Sequence, residues 1–212
     1  MTPIAPFRSS LSDLPVIRAS DLPVGKSPGG WHFADLVGSL SELSEETPCG
    51  ALSVTADIVA EAQGEREPVA WVAGAGSFFH PVDFQRRGID VSAIAVIRAG
   101  DSLDSLRCAE HLARSGALGL IVVDAEGEWK VSDSALGRVQ KLAERSRCAV
   151  LFLTRKRAAD PSLGTRIARR GFITRTVGAS LHVDLHTVRD VRFHSIACQR
   201  RSYDGPAGLH QA

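Results

Sequence analysis

Short aliphatic runs alternate with helix-period segments through the middle of the chain. Residues 69–73 read VAWVA, residues 94–97 IAVI, residues 118–126 LGLIVVDAE and residues 148–153 CAVLFL. Runs this short, rich in β-branched residues and free of polar alternation, predict strands covered on both faces, as in a parallel sheet. The run at 118–126, set between Gly116 and Gly127, is predicted as the centre of that sheet. Its apolar stretch stops at Asp124, and the carboxyl end of a parallel strand is where such sheets bind metals or phosphates. The plainer reading of Asp124 is a cap for the next segment.

Helical segments fall between these runs. Asp101 or Ser102 is expected to cap a helix that carries Leu103, Leu106, Ala109 and Ala113 inward and stops at Gly116. Residues 132–145 predict another, with Leu136, Val139 and Ala143 inward, and Pro81 opens a short one to Arg87, ended by Gly88. Residues 45–62 read as a loop followed by an amphipathic helix with Leu52, Ala56 and Val59 on its stripe. Phe33, Leu36 and Leu40 recur at near-helical spacing, and LSEL at 40–43 fits either a helix end or the first core strand. Strand, helix, strand at this spacing is a right-handed βαβ unit.

Both ends differ. Residues 1–27 carry Pro3, Pro6, Pro15 and Pro23 and predict an extended arm with a short strand or turn at 16–19. Residues 179–185 and 191–197 alternate, predicting two antiparallel strands joined near 187–190, with Leu181, Val183 and Leu185 opposite in phase to His182, Asp184 and His186. Residues 199–212 show no core pattern and predict a flexible basic tail. The expected layout is an arm (1–27), a core (28–198) and a tail (199–212).

Composition adds limits. At 212 residues, 44% hydrophobic and 23% charged, the chain suits one soluble α/β domain. Cys49, Cys108, Cys148 and Cys198 are widely spaced with no CxxC, which points away from zinc and disulfide frameworks and toward a reducing cytoplasm, with Cys108 and Cys148 expected in the core. Neither a leader pattern nor a run of membrane-spanning length is read, so a cytoplasmic protein without a membrane partner is expected. The net charge of +1 hides an asymmetry: residues 1–150 hold 14 Lys/Arg against 20 Asp/Glu, and residues 151–212 hold 11 against 4. Such a segment predicts either an anionic partner or neutralisation within the chain.

The candidate chemistry is degenerate. A phosphate-cradling loop needs G-x-x-x-x-G-K-[ST], in which backbone N–H groups wrap the phosphates and the lysine reaches the terminal ones. Here Glu45 stands at the first glycine, Gly50 at the second, Ala51 at the lysine and Leu52 at the hydroxyl position. Gly74 and Gly76 hint at a dinucleotide fingerprint, but Phe79 takes its third glycine position. His182, Asp184 and His186 share a strand face, with His194 on the next predicted strand; a metal site and a solvent-facing polar row both fit. Residues 154–176 hold Arg155, Lys156, Arg157, Arg166, Arg169, Arg170 and Arg175 against Asp160 alone, with Gly164 and Gly171 expected to keep the segment flexible. Contact with DNA phosphates is one reading, with Phe172 the one ring for stacking, and a solvated face toward acidic protein is the other.

The stretch 89–126, IDVSAIAVIRAGDSLDSLRCAEHLARSGALGLIVVDAE, resembles the RecA recombinase core, with a Walker B strand ending at Asp124. PGGW at 28–31, GSLSEL at 38–43 and the Arg200-Arg201 pair followed by Gly205-Pro206 resemble the ImuA subgroup of RecA-like proteins. The resemblance implies a three-layer RecA-like α/β domain with a mostly parallel central sheet and a C-terminal antiparallel hairpin. It also places a catalytic glutamate where this chain has Gly76. With Ala51 in place of the lysine, the expectation is a protein that is not an enzyme and needs no cofactor. It would act in translesion synthesis beside an ImuB-like protein and RecA, with DNA as a further partner. The residues expected to touch DNA or partner are Arg155, Lys156, Arg157, Arg166, Arg169, Arg170, Arg175, Arg200 and Arg201. Rival readings are an ATP-dependent recombinase and a regulator resembling cell-division inhibitors.

Overall fold

The computed structural model describes residues 30–48, 50–124, 129, 131–177, 181–194 and 196–203. The expected arm, Cys49 and residues 204–212 lie outside them. The described elements are α1 (Phe33–Leu36), β1 (Leu40–Glu45), α2 (Ala51–Gly64), β2 (Val69–Ala73), α3 (Pro81–Gln85), β3 (Ile94–Arg98), α4 (Ser102–Ser115), β4 (Leu120–Asp124), α5 (Asp133–Ser146), β5 (Ala149–Arg155), β6 (Arg169–Val177), β7 (Leu181–Asp190) and β8 (Cys198–Tyr203).

The strands form one sheet in the order β3-β2-β4-β5-β1-β6-β7-β8. Pairing is parallel from β3 through to β6, then antiparallel through β7 and β8. Strand β4, expected at the centre, is third of the eight strands and interior to the sheet, and its apolar residues serve two cores at once: Leu120 and Val122 pack on one side, Ile121 and Val123 on the other, all fully buried. The first core is covered by α1, α2 and α3 through Phe33, Leu36, Val54, Ile58 and Phe84. The second is covered by α4 and α5 through Leu106, Ala109, Leu136 and Val139. The result is the expected three-layer, mostly parallel α/β architecture. No helix among the described residues is long and apolar enough to cross a membrane.

The caps follow local chemistry. The Asp101 carboxylate accepts from the N–H of Asp104 at 2.8 Å, and α4 stops at Gly116, whose φ of +67° suits glycine. Ser132 caps α5 by accepting from the N–H of Ala135.

Four expectations are corrected. Leu52 and Leu103, expected inward, are 38% and 41% exposed. Each is the second residue of its helix, where the neighbouring positions take the inward face: Ala51 on α2 is buried, and on α4 Ser105 is buried, donating to Asp101 O at 2.7 Å. Of the strand expected at 191–197, the described residues are not strand: β7 runs on to Asp190, with a register shift opposite Arg170 and Gly171, residues 191–193 turn, and the chain re-enters the sheet at Cys198. Residues 199–203, expected in the tail, are the body of edge strand β8. The segment 154–176, expected to be flexible, holds the end of β5 and most of β6. Gly171 is no hinge, since a Cβ there would lie 2.7 Å from Trp31 and 2.8 Å from Leu185.

Candidate functional site: a phosphate cradle filled by Glu45

At the carboxyl ends of β1, β2, β4 and β5 the chain encloses a cavity of about 250 Å³. Five of the six residues expected for a degenerate nucleotide site line it: Glu45, Ala51, Leu52, Gly76 and Asp124. Gly50, the sixth, opens α2 beside it, where a Cβ would come within 2.8 Å of Val183. Parallel register brings them together, since Glu45 is level with Arg155 and Asp124 is level with Ala73 and Leu153. Gly76, with φ of +78°, turns the chain back after β2.

The anion position of the cradle is occupied from within. Glu45, 4% exposed, turns its Oε2 to the start of α2 and accepts from the N–H of Gly50 at 3.0 Å and of Ala51 at 2.9 Å. These are the groups that a helix N-terminus offers to a phosphate. Its Oε1 accepts from the Arg155 guanidinium, which closes the arrangement from β5. Ala51, 3% exposed, supplies no ammonium. Opposite, Asp124 Oδ2 accepts from Ser77 Oγ at 2.5 Å, and Asp124 O accepts from the N–H of Gly74 at 2.7 Å. The sequence reading missed Arg155 as part of this site, together with Ser77, Phe78 and His80, which also line the cavity. The available signal was that Arg155 follows the apolar run of β5 directly.

The basic residues are for the most part spent inside the molecule. Lys156 pairs with Glu42 at 3.0 Å, Arg157 with Glu46 at 3.2 Å, Arg169 with Asp190 at 2.9 Å, Arg200 with Asp184 at 2.7 Å and Arg201 with Asp57 at 2.8 Å. Arg169 and Arg170, expected at a DNA or partner surface, are 2% and 3% exposed. They open β6, where Arg170 donates to Ser44 Oγ at 3.2 Å and to the carbonyls of Arg157 and Asp160. Of the nine residues, Arg166 and Arg175 are exposed and form no ion pair among the described residues. Neutralisation within the chain accounts for most of the charge asymmetry.

The histidine row lies on β7 as expected, but each member has a protein partner. His182 Nδ1 meets Ser202 Oγ at 3.0 Å and His186 Nε2 meets Thr174 Oγ1 at 3.3 Å. The Asp184 carboxyl is held below its ordinary range, first by the hydrogen bond from Arg200. His194 is in the β7–β8 turn rather than on a paired strand. Among the described residues no group of three His, Cys, Asp or Glu side chains is placed to hold a metal.

The three-layer architecture, with a cavity at the carboxyl edge of its sheet, is consistent with a RecA-like α/β fold. Curated relatives agree: the RecA protein of Chlorobium limicola is 27% identical over 117 residues, covering 51% of this chain and 33% of that protein. RecA of Clostridium novyi is 28% identical over 139 residues (57% of this chain, 39% of that protein), and RecA of Acinetobacter baumannii is 27% identical over 139 residues (57% and 40%). The matches thus span a third to two-fifths of the length of these relatives. No protein-family model matches the chain. The relationship supported is a distant one to RecA.

Proposed function

We propose that the chain is a non-catalytic, RecA-like accessory factor in damage-induced mutagenesis, of the ImuA kind, working beside an ImuB-like protein and RecA. The observation that carries the non-catalytic part is the Glu45 carboxylate on the N–H groups of Gly50 and Ala51. A bound nucleotide would have to displace that carboxylate or set its phosphates against it, and both effects oppose binding in the same direction. Ala51 brings no ammonium and Gly76 no carboxylate to the same cavity, which removes two groups that a RecA-type site would use in phosphoryl transfer and supports the non-catalytic reading. The distant likeness to RecA supports a setting in DNA repair.

Two measurements test the reading. Titration of the full chain with Mg-ATP is expected to give no binding heat and no phosphate release; micromolar binding with turnover would restore the recombinase reading. Affinity capture from DNA-damaged cells is expected to retain an ImuB-like protein or RecA. Retention of division proteins instead would favour the division-regulator reading, and retention of neither repair protein would remove the proposal. DNA contact is tested by a mobility shift across salt concentrations, with charge reversal confined to Arg166 and Arg175, since Arg155, Arg169 and Arg170 are structural partners and Arg157 already pairs with Glu46 at the surface. No shift at low salt would leave the two arginines to a protein surface.

A further inference from the structure

Among the described residues between β7 and β8, three large apolar side chains are exposed, and residues 191–193 are held by backbone hydrogen bonds. Val191 is 50% exposed, Phe193 40% and Ile196 85%, and Val188, near the end of β7, is 39% exposed. The alternation read as a strand therefore points to solvent, although the turn is not loosely attached. Asp190 Oδ1 accepts from the N–H of Arg192 at 3.0 Å and of Phe193 at 2.9 Å, and the N–H of Val191 donates to Ala168 O at 2.8 Å. At its base the Arg169–Asp190 pair is buried, with side chains 3% and 1% exposed, and the Arg169 guanidinium lies 4.9 Å from the Phe193 ring centre. Apolar side chains held outward by such a base carry a low ordering cost on binding.

A cavity of about 400 Å³ adjoins the turn at the amino-terminal end of β1, floored by Leu40, Ile167, Ala168 and Val191 and flanked by Arg166 and Arg192. Arg166, Arg189 and Arg192 form no ion pair with a carboxylate among the described residues. Arg189 donates to the carbonyl of Thr165 at 3.1 Å, and Arg192 to those of Asp35 and Val37 at 3.2 and 3.0 Å, so the described partners of both are neutral carbonyls. Glu144, on the α5 wall of the cavity, accepts from Gln140 at 2.8 Å.

We propose that this end of the sheet docks a partner protein through a segment in which apolar side chains alternate with carboxylates. Apolar anchors would enter beside Val191 while carboxylates meet the three arginines. Nucleic acid would use the charges but not Val191 or Ile196, so the exposed apolar residues favour a peptide. The surface lies at the opposite end of the strands from the cradle, and the inference is independent of how that cradle is read.

The test is fluorescence anisotropy on the full chain with a labelled peptide alternating Glu with Leu and Phe, a matched peptide with Lys for Glu, and labelled oligo-dT. Micromolar binding of the acidic peptide is expected, weakened about tenfold by each of Val191→Asp, Ile196→Asp and Arg166→Glu. Far-UV circular dichroism and the urea midpoint check that the variants fold, and Ile196→Ser replaces any that does not. The proposal is overturned if the acidic peptide fails to bind, if the lysine peptide binds equally, or if the apolar variants bind like wild type. It is also overturned if oligo-dT binds and only Arg166→Glu weakens it, or if the chain self-associates through this face and Val191→Asp abolishes that.

Discussion

Lys156 Nζ lies 3.0 Å from Oε1 of Glu42, a carboxylate with no exposed surface. The same carboxylate accepts from Thr154 Oγ1 at 2.8 Å and from the N–H of Leu163 at 2.9 Å, so β1 ties down the stretch that follows β5. Removing one partner of a buried pair leaves the others desolvated and unpaired. Glu42→Ala is therefore expected to lower stability by about 3 kcal/mol, read as a reduced urea midpoint with unchanged m-value. Loss within 0.5 kcal/mol would mean that water reaches the Lys156 ammonium freely.

Gly171 sits where Trp31, Leu43 and Leu185 converge, with 2.7 to 3.0 Å left for a Cβ. Overpacking a site of this kind costs about 1–3 kcal/mol. Gly171→Val is expected at the upper end of that range, because Leu185 and Trp31 are fully buried and cannot move into solvent. A thermal melt of the variant beside wild type checks it; an unchanged Tm would mean that this face of β6 is more loosely packed.

The fold was legible where a residue's partners are near in sequence or its environment is uniform. Strand β2 was read at its observed bounds, and Ser132, Asp101 and Gly116 marked helix ends because caps are local chemistry. The convergence of Glu45, Ala51, Gly76 and Asp124 was also legible, since parallel strands bring their carboxyl ends to one edge. What Glu45 does there was not. Its carboxylate marks a lost glycine in the sequence, and only the return of Oε2 onto Gly50 and Ala51 shows an internal anion. The arginines misled for a related reason: Arg169 and Asp190 are 21 residues apart, and a run of like charge does not reveal carboxylates on neighbouring strands.

Two weak acids, the buried Cys148 and the half-buried Tyr203, set the response to high pH. Burial pushes the Cys148 thiol up from 9.0 to about 12, with Glu67 adding to the effect. Burial also raises the Tyr203 hydroxyl from 10.0 to about 12, and its hydrogen bond to Asp57, 2.7 Å long, acts in the same direction. Between pH 9 and 12 the folded chain therefore holds more protons than the unfolded chain, and stability falls as pH rises. Urea midpoints are expected to be level up to about pH 9 and to decline above it. Tyr203→Phe should remove the part of the decline that begins near pH 10, and an identical slope in that variant would refute the assignment to Tyr203.

Restoring the lysine alone is expected not to restore nucleotide binding. In Ala51→Lys the new ammonium would rise beside the Glu45 carboxylate, which already holds the N–H groups of Gly50 and Ala51 and the Arg155 guanidinium. The cation would join an existing pair, and the N–H groups would stay engaged. Only removal of the carboxylate frees them, so Glu45→Gly with Ala51→Lys is the combination expected to bind Mg-ATP in isothermal titration. Glu45→Gly also strips a buried acceptor from the start of α2, a loss of about 0.5–2 kcal/mol, which the urea midpoint registers separately. Binding by Ala51→Lys alone would show that Glu45 yields to phosphate and does not bar the cradle.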